Sequence, residues 1–138
     1  MIPENYGEIA IFHTEDGAAK VQIQAVVKDE TIWLTQKAMG ELFGVNPQAI
    51  TKHLQNIYEE GELQQTATCS KMEQVQTEGK RQVTREVTFY NLDAIIAVGY
   101  RVNSKRATQF RQWATTILKA YLVKGFALDD ERFKQGQS

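Results

Sequence analysis

The chain has 138 residues, of which 42% are hydrophobic and 24% charged, and its formal net charge is −1. This composition is that of an ordinary globular protein with one or two small domains and enough apolar residues for a core. The sequence has no apolar run of the roughly 18 residues that a membrane helix needs, and its N-terminus MIPENYGEIAIF has no signal-peptide pattern. We therefore expect a cytoplasmic protein.

The few metal-binding residue types are scattered. Cys69 has no second cysteine for a disulfide, and neither His13 nor His53 stands at a zinc-ligand spacing from it. The acidic residues 129–131 lie on a predicted tail, whereas a metal-dependent nuclease needs its carboxylates on a rigid frame. We expect no metal, no cofactor, no small-molecule substrate and no intrinsic catalysis.

The first third of the chain predicts β-structure. Residues 8–14 alternate in polarity as a short strand does, and EDG at 15–17 is typical of a turn. Residues 21–27 and 31–34 are two apolar runs separated by KDET, which favours a hairpin leading directly into a helix. Trp33 is expected to anchor that junction.

Residues 34–58, LTQKAMGELFGVNPQAITKHLQNIY, have the pattern of two short helices joined by a tight turn. Thr35 is a good N-cap, and apolar residues then recur at three- and four-residue steps. Gly44 favours a helix end, and Asn46 followed by proline favours a new helix start. Because the small residue Gly40 precedes Gly44 by four positions, we interpret the segment as a helix-turn-helix.

The second helix of this pair has one apolar and one polar face. Ile50, Leu54 and Ile57 repeat at helical spacing and should face the first helix, with His53 half-inward. The opposite face carries amide, hydroxyl and amino groups that match base edges and phosphates in a major groove. These polar residues are Gln48, Thr51, Lys52 and Gln55. An ordinary helical hairpin inside another fold is the alternative.

The polar segment after these helices predicts a second hairpin. Strands over residues 66–75 and 83–90 can pair around a tip at 77–81, where Lys80 and Arg81 follow a glycine. Such a basic tip can lie along a phosphate backbone or enter the adjacent minor groove, as the wing of a winged-helix domain does. A disordered surface loop is the alternative.

The last third of the chain predicts two helices. A short apolar helix begins after Asn91 and ends at Gly99, and a long helix begins after Ser104 and ends at Gly125. The long helix carries a wide apolar stripe that we expect in the core, unless part of it forms a dimer seam. The stripe consists of Ala107, Phe110, Trp113, Ala114, Ile117, Leu118 and Tyr121.

The small net charge conceals an uneven distribution. No acidic residue occurs between Asp93 and Asp129, whereas six basic residues do. DNA responds to the local potential more than to the total charge, so this cationic block favours nucleic-acid binding. A solvated basic helix face without a partner is the alternative.

Two blocks carry a resemblance to known families. Residues 87–124, VTFYNLDAIIAVGYRVNSKRATQFRQWATTILKAYLVK, together with IWLTQKAMGELFGVNPQAITKHLQNIY before them, resemble the bacterial RhuM family of virulence-associated proteins. This resemblance extends over nearly the whole chain from about Val21. Members of that family are usually longer, so the chain resembles their N-terminal part.

The second block is also similar to the Bro-N domain of phage antirepressors and baculovirus proteins. The shared pattern is an aromatic-terminated strand, a short helix and then A..FR.W on a second helix. It is carried by Phe89, Tyr90, Leu92, Ser104, Arg106, Ala107, Phe110, Arg111 and Trp113. Since Bro-N domains are associated with DNA binding, the resemblance implies DNA binding here.

Arg106 and Arg111 are the informative positions of this pattern, because the shared apolar residues are also expected in a core. The two arginines are five positions apart on one helix and therefore point in different directions. At most one of them needs to face DNA, and the other is expected to pair with Asp93 or Glu86.

The sequence therefore predicts an α+β protein, in which a winged-helix-like helix-turn-helix is combined with short β-hairpins and a long C-terminal helix. The expected division is an N-terminal strand or arm at 1–20, a hairpin, helix-turn-helix and wing at 21–90, a Bro-N-like helical pair at 91–125 and a charged tail at 126–138. That tail suggests a domain boundary or the truncation point of a longer protein.

The leading hypothesis is a homodimeric, sequence-specific double-stranded DNA-binding protein that regulates transcription of a mobile element or virulence region. Gln48 and Lys52 are expected at base edges. The candidate DNA-binding residues are Thr35, Asn46, Gln48, Thr51, Lys52, Gln55, Lys80, Arg81, Lys105, Arg106 and Arg111. The alternative is a protein-interaction or targeting module of a longer protein, which the acidic residues 59, 60 and 62 favour because they would repel phosphate.

Overall fold

The computed structural model describes residues 7–16, 19–102 and 104–136, with side chains described over 7–14, 20–102 and 104–122. Its strands are β1 (Glu8–Asp16), β2 (Ala19–Lys28), β3 (Thr31–Thr35), β4 (Cys69–Glu78) and β5 (Arg81–Asn91). Its helices are α1 (Gln36–Phe43), α2 (Pro47–Glu59), α3 (Gln65–Thr68), α4 (Leu92–Val102) and α5 (Lys105–Gly136). The α+β class and the long C-terminal helix are confirmed.

The strands form an antiparallel sheet in the order β1-β2-β3-β5-β4, with the short β3 at its centre. Trp33 pairs with Val26 on one side and with Asn91 on the other, and the pairing with β5 ends where Thr35 meets Phe89. The chain then leaves the sheet into α1. Beyond β3, the longer neighbouring strands continue as two separate hairpins, β1–β2 and β4–β5.

The turn between β2 and β3 lies at Asp29 and Glu30, as the KDET pattern predicts. Both residues have positive φ angles, 53° and 61°, as a tight type I′ hairpin turn requires. Trp33 closes this hairpin, since its Nε1 donates a hydrogen bond to the Lys28 carbonyl at 3.0 Å. This contact lies within the hairpin, so the predicted role of Trp33 at the junction with α1 stays a prediction. Gly17, in the predicted first turn, lies outside the described residues.

One hydrophobic core lies between the sheet and the helices. It contains Leu34 from β3, Met39 from α1, Ile50 from α2 and Ile95 from α4, all at most 1% exposed. In the apolar stripe of α5, Phe110 and Ala114 are buried in the same core, whereas the other stripe residues are partly buried and pack against it. The predicted burial is thus confirmed for part of the stripe. This single core holds α1 and α2 in a fixed position against the sheet.

Three aromatic rings join β1 to α5. Phe12 lies 5.3 Å from Phe110 and 5.4 Å from Trp113, with both pairs in edge-to-face geometry. Aromatic rings prefer such arrangements at these separations. The β1–β2 hairpin is therefore fastened to the longest helix of the protein.

Two glycines that were expected to end helices lie inside them. A Cβ atom at Gly99 would come within 2.8 Å of the Ala107 Cβ and 3.4 Å of the Phe43 ring, so this glycine allows α4 to approach α5 and α1 closely. Gly125 lies within α5, which runs on to Gly136. One glycine costs a helix only about 1 kcal/mol relative to alanine, and the following residues include strong helix formers.

The segment after α2 also differs from its prediction in detail. The two strands and the tip are confirmed, but β4 begins at Cys69 because residues 65–68 form the short helix α3. Thr68 is buried there and donates its hydroxyl hydrogen to the Gln64 carbonyl at 2.8 Å. Within the described part of the chain, no helix is both long enough and apolar enough to cross a membrane.

Candidate nucleic-acid interface

Both helices of the α1–α2 pair are capped as their sequence predicts. Thr35 has extended backbone angles, and its hydroxyl accepts a hydrogen bond from the Ala38 N–H at 3.0 Å. Gly44 ends α1 in the left-handed conformation with a φ angle of 70°. Asn46 caps α2 by accepting from the Ala49 N–H at 2.8 Å. These bonds satisfy backbone groups that a helix end leaves unpaired.

The turn between the two helices requires a residue without a side chain at position 40. A Cβ atom on Gly40 would lie 2.9 Å from the carbonyl oxygen of Val45, closer than real Cβ contacts allow. The Gly40 carbonyl also accepts the N–H of Val45 at 3.0 Å. The glycine therefore accommodates the backbone of the turn itself.

The polar side chains of α2 lie on its exposed face. Gln48, Thr51, Lys52 and Gln55 are all exposed, whereas Ile50, Leu54 and Ile57 are buried. His53 is half-buried, as predicted. The candidate base-contacting and phosphate-contacting groups of α2 therefore share one accessible surface.

A hydrogen-bonded chain joins the first residue of α1 to this surface. The Gln36 side-chain amide donates to the Thr51 hydroxyl at 2.6 Å, and that hydroxyl donates to the Pro47 carbonyl at 3.1 Å. Because Thr51 has only one hydroxyl hydrogen and uses it on Pro47, its oxygen must accept from the Gln36 nitrogen. The Gln36 amide orientation is therefore fixed by the network.

The tip of the β4–β5 hairpin is a two-residue turn. Glu78 pairs with Arg81, and Gly79 between them has a φ angle of 63°, as expected at the first central position of a type II′ turn. Lys80 and Arg81 are both exposed. Arg85, farther from the tip, donates two hydrogen bonds of 3.0 and 2.9 Å to the Glu78 carboxylate. Lys80 and Arg81 do not take part in this ion pair.

The register of the sheet places this tip on the same side as the start of α1. Thr35, the last residue of β3, pairs with Phe89, and β5 reaches eight residues farther toward the tip. At roughly 3.3 Å per residue, the projecting part of the hairpin is about 26 Å long. The tip and the start of α1 therefore lie beyond the same end of β3, and Gln36 at that start contacts Thr51 of α2.

The basic residues at the start of α5 occupy a different place. Arg106 lies beside the α1–α2 turn, where its guanidinium donates to the carbonyls of Glu41 and Leu42 at 3.4 and 3.3 Å. It thus satisfies the C-terminal end of α1 and does not pair with Asp93 or Glu86. Lys105 is exposed.

Arg111 lies in a shallow cleft of about 160 Å³ between α4 and α5. Its side chain is exposed and has no hydrogen-bond or ion-pair partner among the described residues. Tyr100 and Thr108 line the same cleft. The structure therefore gives Arg106 and Arg111 different surroundings.

The C-terminal end of α2 is held by contacts to other elements. Arg101 on α4 lies 2.6 Å from Glu60 and 3.8 Å from Glu62, so two of the three acidic residues near this end are paired with a cation. The hydroxyls of Tyr58 and Thr68 are 2.9 Å apart, and burial raises the pKa of Tyr58 above its usual value. The C-terminal end of α2 is therefore held by α3 and α4, whereas the polar side chains in its N-terminal half are exposed to solvent.

Gln36 is a residue beside this surface that the sequence interpretation missed. It follows the N-cap Thr35 and contributes nothing to the apolar periodicity of α1, so pattern analysis gives it no role. Its position relative to Thr51, fifteen residues later, depends on the crossing of two helices. No signal near position 36 in the sequence indicates this contact.

The chain belongs to the Virulence protein RhuM family. The sequence model of this family matches residues 67–138, which are more than half of the 138 residues. The match confirms the RhuM resemblance for the second half of the chain. It begins at residue 67, so the earlier part of the resemblance, from about Val21, lies outside it. No curated protein and no solved structure matches the chain.

Proposed function

We propose that this RhuM-family protein is a sequence-specific double-stranded DNA-binding protein that acts as a homodimeric transcription regulator of a mobile element or virulence region. The observation that carries the proposal is the presence of two accessible surfaces near the same end of the central strand β3. The basic tip at Lys80 and Arg81 and the start of α1 both lie beyond that end, and Gln36 at the start of α1 contacts Thr51 on the exposed polar face of α2. A duplex presents a major groove and an adjacent minor groove or backbone to such a pair.

The order of elements supports assigning these parts to a winged-helix-like helix-turn-helix. The segments β3, α1, α2, the short α3, β4 and β5 follow one another, and β5 lies between β3 and β4 in the sheet. A helix pair followed by a projecting hairpin is the arrangement in which a reading helix and a wing act together. The α1–α2 pair supplies the reading helix and β4–β5 the wing.

Within this assignment, Gln48 and Lys52 contact base edges, since they are exposed on the N-terminal half of α2. A glutamine amide suits adenine and a lysine suits guanine. Thr35, Asn46, Thr51 and Gln55 lie nearer the phosphates, and Lys80 and Arg81 contact the backbone or minor groove. Lys105 and Arg111 provide further positive charge, and the Bro-N-like character of the second half is part of the same proposal.

Arg106 contributes to this function mainly through α1. Its contacts with the Glu41 and Leu42 carbonyls fix the end of α1 beside the turn, and so help to fix where α2 begins. A guanidinium has five N–H donors, so these contacts leave others for a phosphate.

A second candidate function is a protein-interaction or targeting module of a longer protein, without catalysis of its own. It is favoured by the face of the β1–β2 hairpin that does not carry the buried Phe12 and Ile23, where Ile9 is 63% and Ile11 38% exposed. Gln22 and Gln24 lie beside them on β2. Such an uncharged, partly apolar surface suits a protein partner better than a nucleic acid.

The test is a salt titration of binding to random duplex DNA, run beside the selection of bound sequences from a randomised pool. We expect an enriched palindromic motif with half-sites about one helical turn, or roughly 34 Å, apart. Binding with a steep salt dependence but no motif would contradict sequence reading, and the absence of all binding would favour the interaction module.

A further inference from the structure

We propose that Gln36 is a positioning residue for DNA, holding Thr51 of α2 with one side-chain N–H and donating the other to a phosphate. This inference rests on the proposed DNA-binding function and names a residue that fixes α2 against one strand. Its basis is the 2.6 Å hydrogen bond between the Gln36 amide nitrogen and the Thr51 hydroxyl.

The amide has one donor left after this contact. A glutamine side chain carries two N–H hydrogens on one nitrogen, and the Thr51 hydroxyl accepts only one of them. The second has no acceptor among the described residues, and Gln36 is only half-buried. Phosphate oxygens accept hydrogen bonds from glutamine side chains throughout protein–DNA interfaces.

The Thr51 hydroxyl is itself held by a hydrogen bond, which fixes the geometry of its contact with Gln36. Its hydroxyl donates to the Pro47 carbonyl in the first turn of α2, so the chain from Gln36 to Pro47 spans both helices. A phosphate held by Gln36 is thereby held at a fixed position relative to α2. The contact would set the depth and rotation at which Gln48 and Lys52 meet the bases.

Two substitutions separate this role from a structural one. Gln36→Ala removes both N–H donors. Gln36→Glu keeps the side-chain length but has no N–H donor, so the Thr51 hydroxyl keeps the helices joined only by turning from the Pro47 carbonyl to donate to the new carboxylate. The variant also places a negative charge beside the phosphate. We expect about a tenfold loss of affinity for Gln36→Ala and a larger loss for Gln36→Glu, while the folded stability of the Glu variant stays near that of the wild type.

The salt dependence gives a second signature. Counterion release follows the number of phosphates neutralised by cationic side chains, and Gln36 is neutral. The Gln36→Ala variant should therefore bind more weakly at every salt concentration with an unchanged slope. Lys80→Ala is the matched comparison, because loss of a cationic contact should lower the slope by about one unit.

The decisive experiment measures binding of wild type and Gln36→Ala to duplexes in which one phosphate at a time is replaced by a neutral methylphosphonate. We expect one position at which the replacement weakens the wild type about tenfold but leaves the variant unaffected. If the wild type binds and every replacement affects both proteins equally, the role of Gln36 is wrong while the proposed function stands. If the wild type binds no duplex, the proposed function itself is wrong.

Discussion

The two long hairpins of the sheet project to the same side of β3 but have different surroundings. In β1–β2, Phe12 and Ile23 are 3% and 1% exposed, and Thr14 donates a hydrogen bond to the Gln109 side chain of α5 at 2.9 Å. In β4–β5, no residue between Lys71 and Thr88 is buried.

The difference shows how one motif serves two purposes in the same sheet. An isolated two-stranded hairpin is at best marginally stable, so the β4–β5 arm depends on its ladder and on cross-strand pairs such as Arg85 with Glu78. Its side chains are free to meet a partner. The β1–β2 hairpin instead buries one face in the core, which makes it part of the scaffold that holds α1 and α5.

The largest expected effect is on the packed hairpin. Phe12→Ala removes a ring that contacts both Phe110 and Trp113, and should lower the free energy of unfolding by about 3–5 kcal/mol. Urea denaturation followed by tryptophan fluorescence measures this loss, since Trp113 belongs to the same cluster. Val75→Ala on the other hairpin is the control: Val75 is 63% exposed, so its change should stay within about 0.5 kcal/mol. Equal losses would show that both hairpins are structural.

The next effect concerns sequence discrimination by α2. Gln48→Ala should relax the preference at one base position by about 1–3 kcal/mol, because an exposed bidentate donor and acceptor is lost. Selection from a randomised pool with the variant measures the preference. Gln24→Ala, which removes an exposed glutamine from β2, is the matched control and should leave the motif unchanged. If Gln48→Ala instead weakened binding to all sequences equally, Gln48 would contact the DNA backbone and not a base.

A smaller and less specific effect on DNA binding is expected from substitutions at the tip of the β4–β5 hairpin. Lys80→Ala and Arg81→Ala should each weaken binding to all duplexes alike and lower the slope against log salt by about 0.9. Lys20→Ala, near the tip of the packed hairpin, is the control and should leave the slope unchanged. The two hairpins would have equal roles if the Lys20 variant lost as much as the tip variants.

The sequence predicts most of this fold where the determinants are local. Thr35, Gly44 and Asn46 act within three or four residues of the groups they cap, and the structure has all three in those roles. Hairpin turns are equally local. Helix α3 was missed because a four-residue helix is too short to show a period.

The prediction is poorer where a residue acts on a distant element. Gly99 resembles a helix terminator by type and position, but its purpose is the close approach of Ala107 and Phe43. Gln36 and Arg106 likewise meet partners fifteen and more than sixty residues away. Such contacts depend on how helices cross, which composition and spacing do not encode.

The smallest expected effect tests whether α5 fastens the reading helices as it fastens the β1–β2 hairpin. Arg106→Gln removes donors to the Glu41 and Leu42 carbonyls, whose distances of 3.4 and 3.3 Å are long for hydrogen bonds. We therefore expect the free energy of unfolding to fall by only about 0.5–1 kcal/mol, below the usual range for charged hydrogen bonds. Arg111→Gln is the control, because Arg111 has no partner in the described part of the chain and its loss should leave stability unchanged. If the two substitutions had the same effect on urea unfolding, Arg106 would not stabilise α1, and the proposed role of Arg106 in fixing the end of α1 would be wrong.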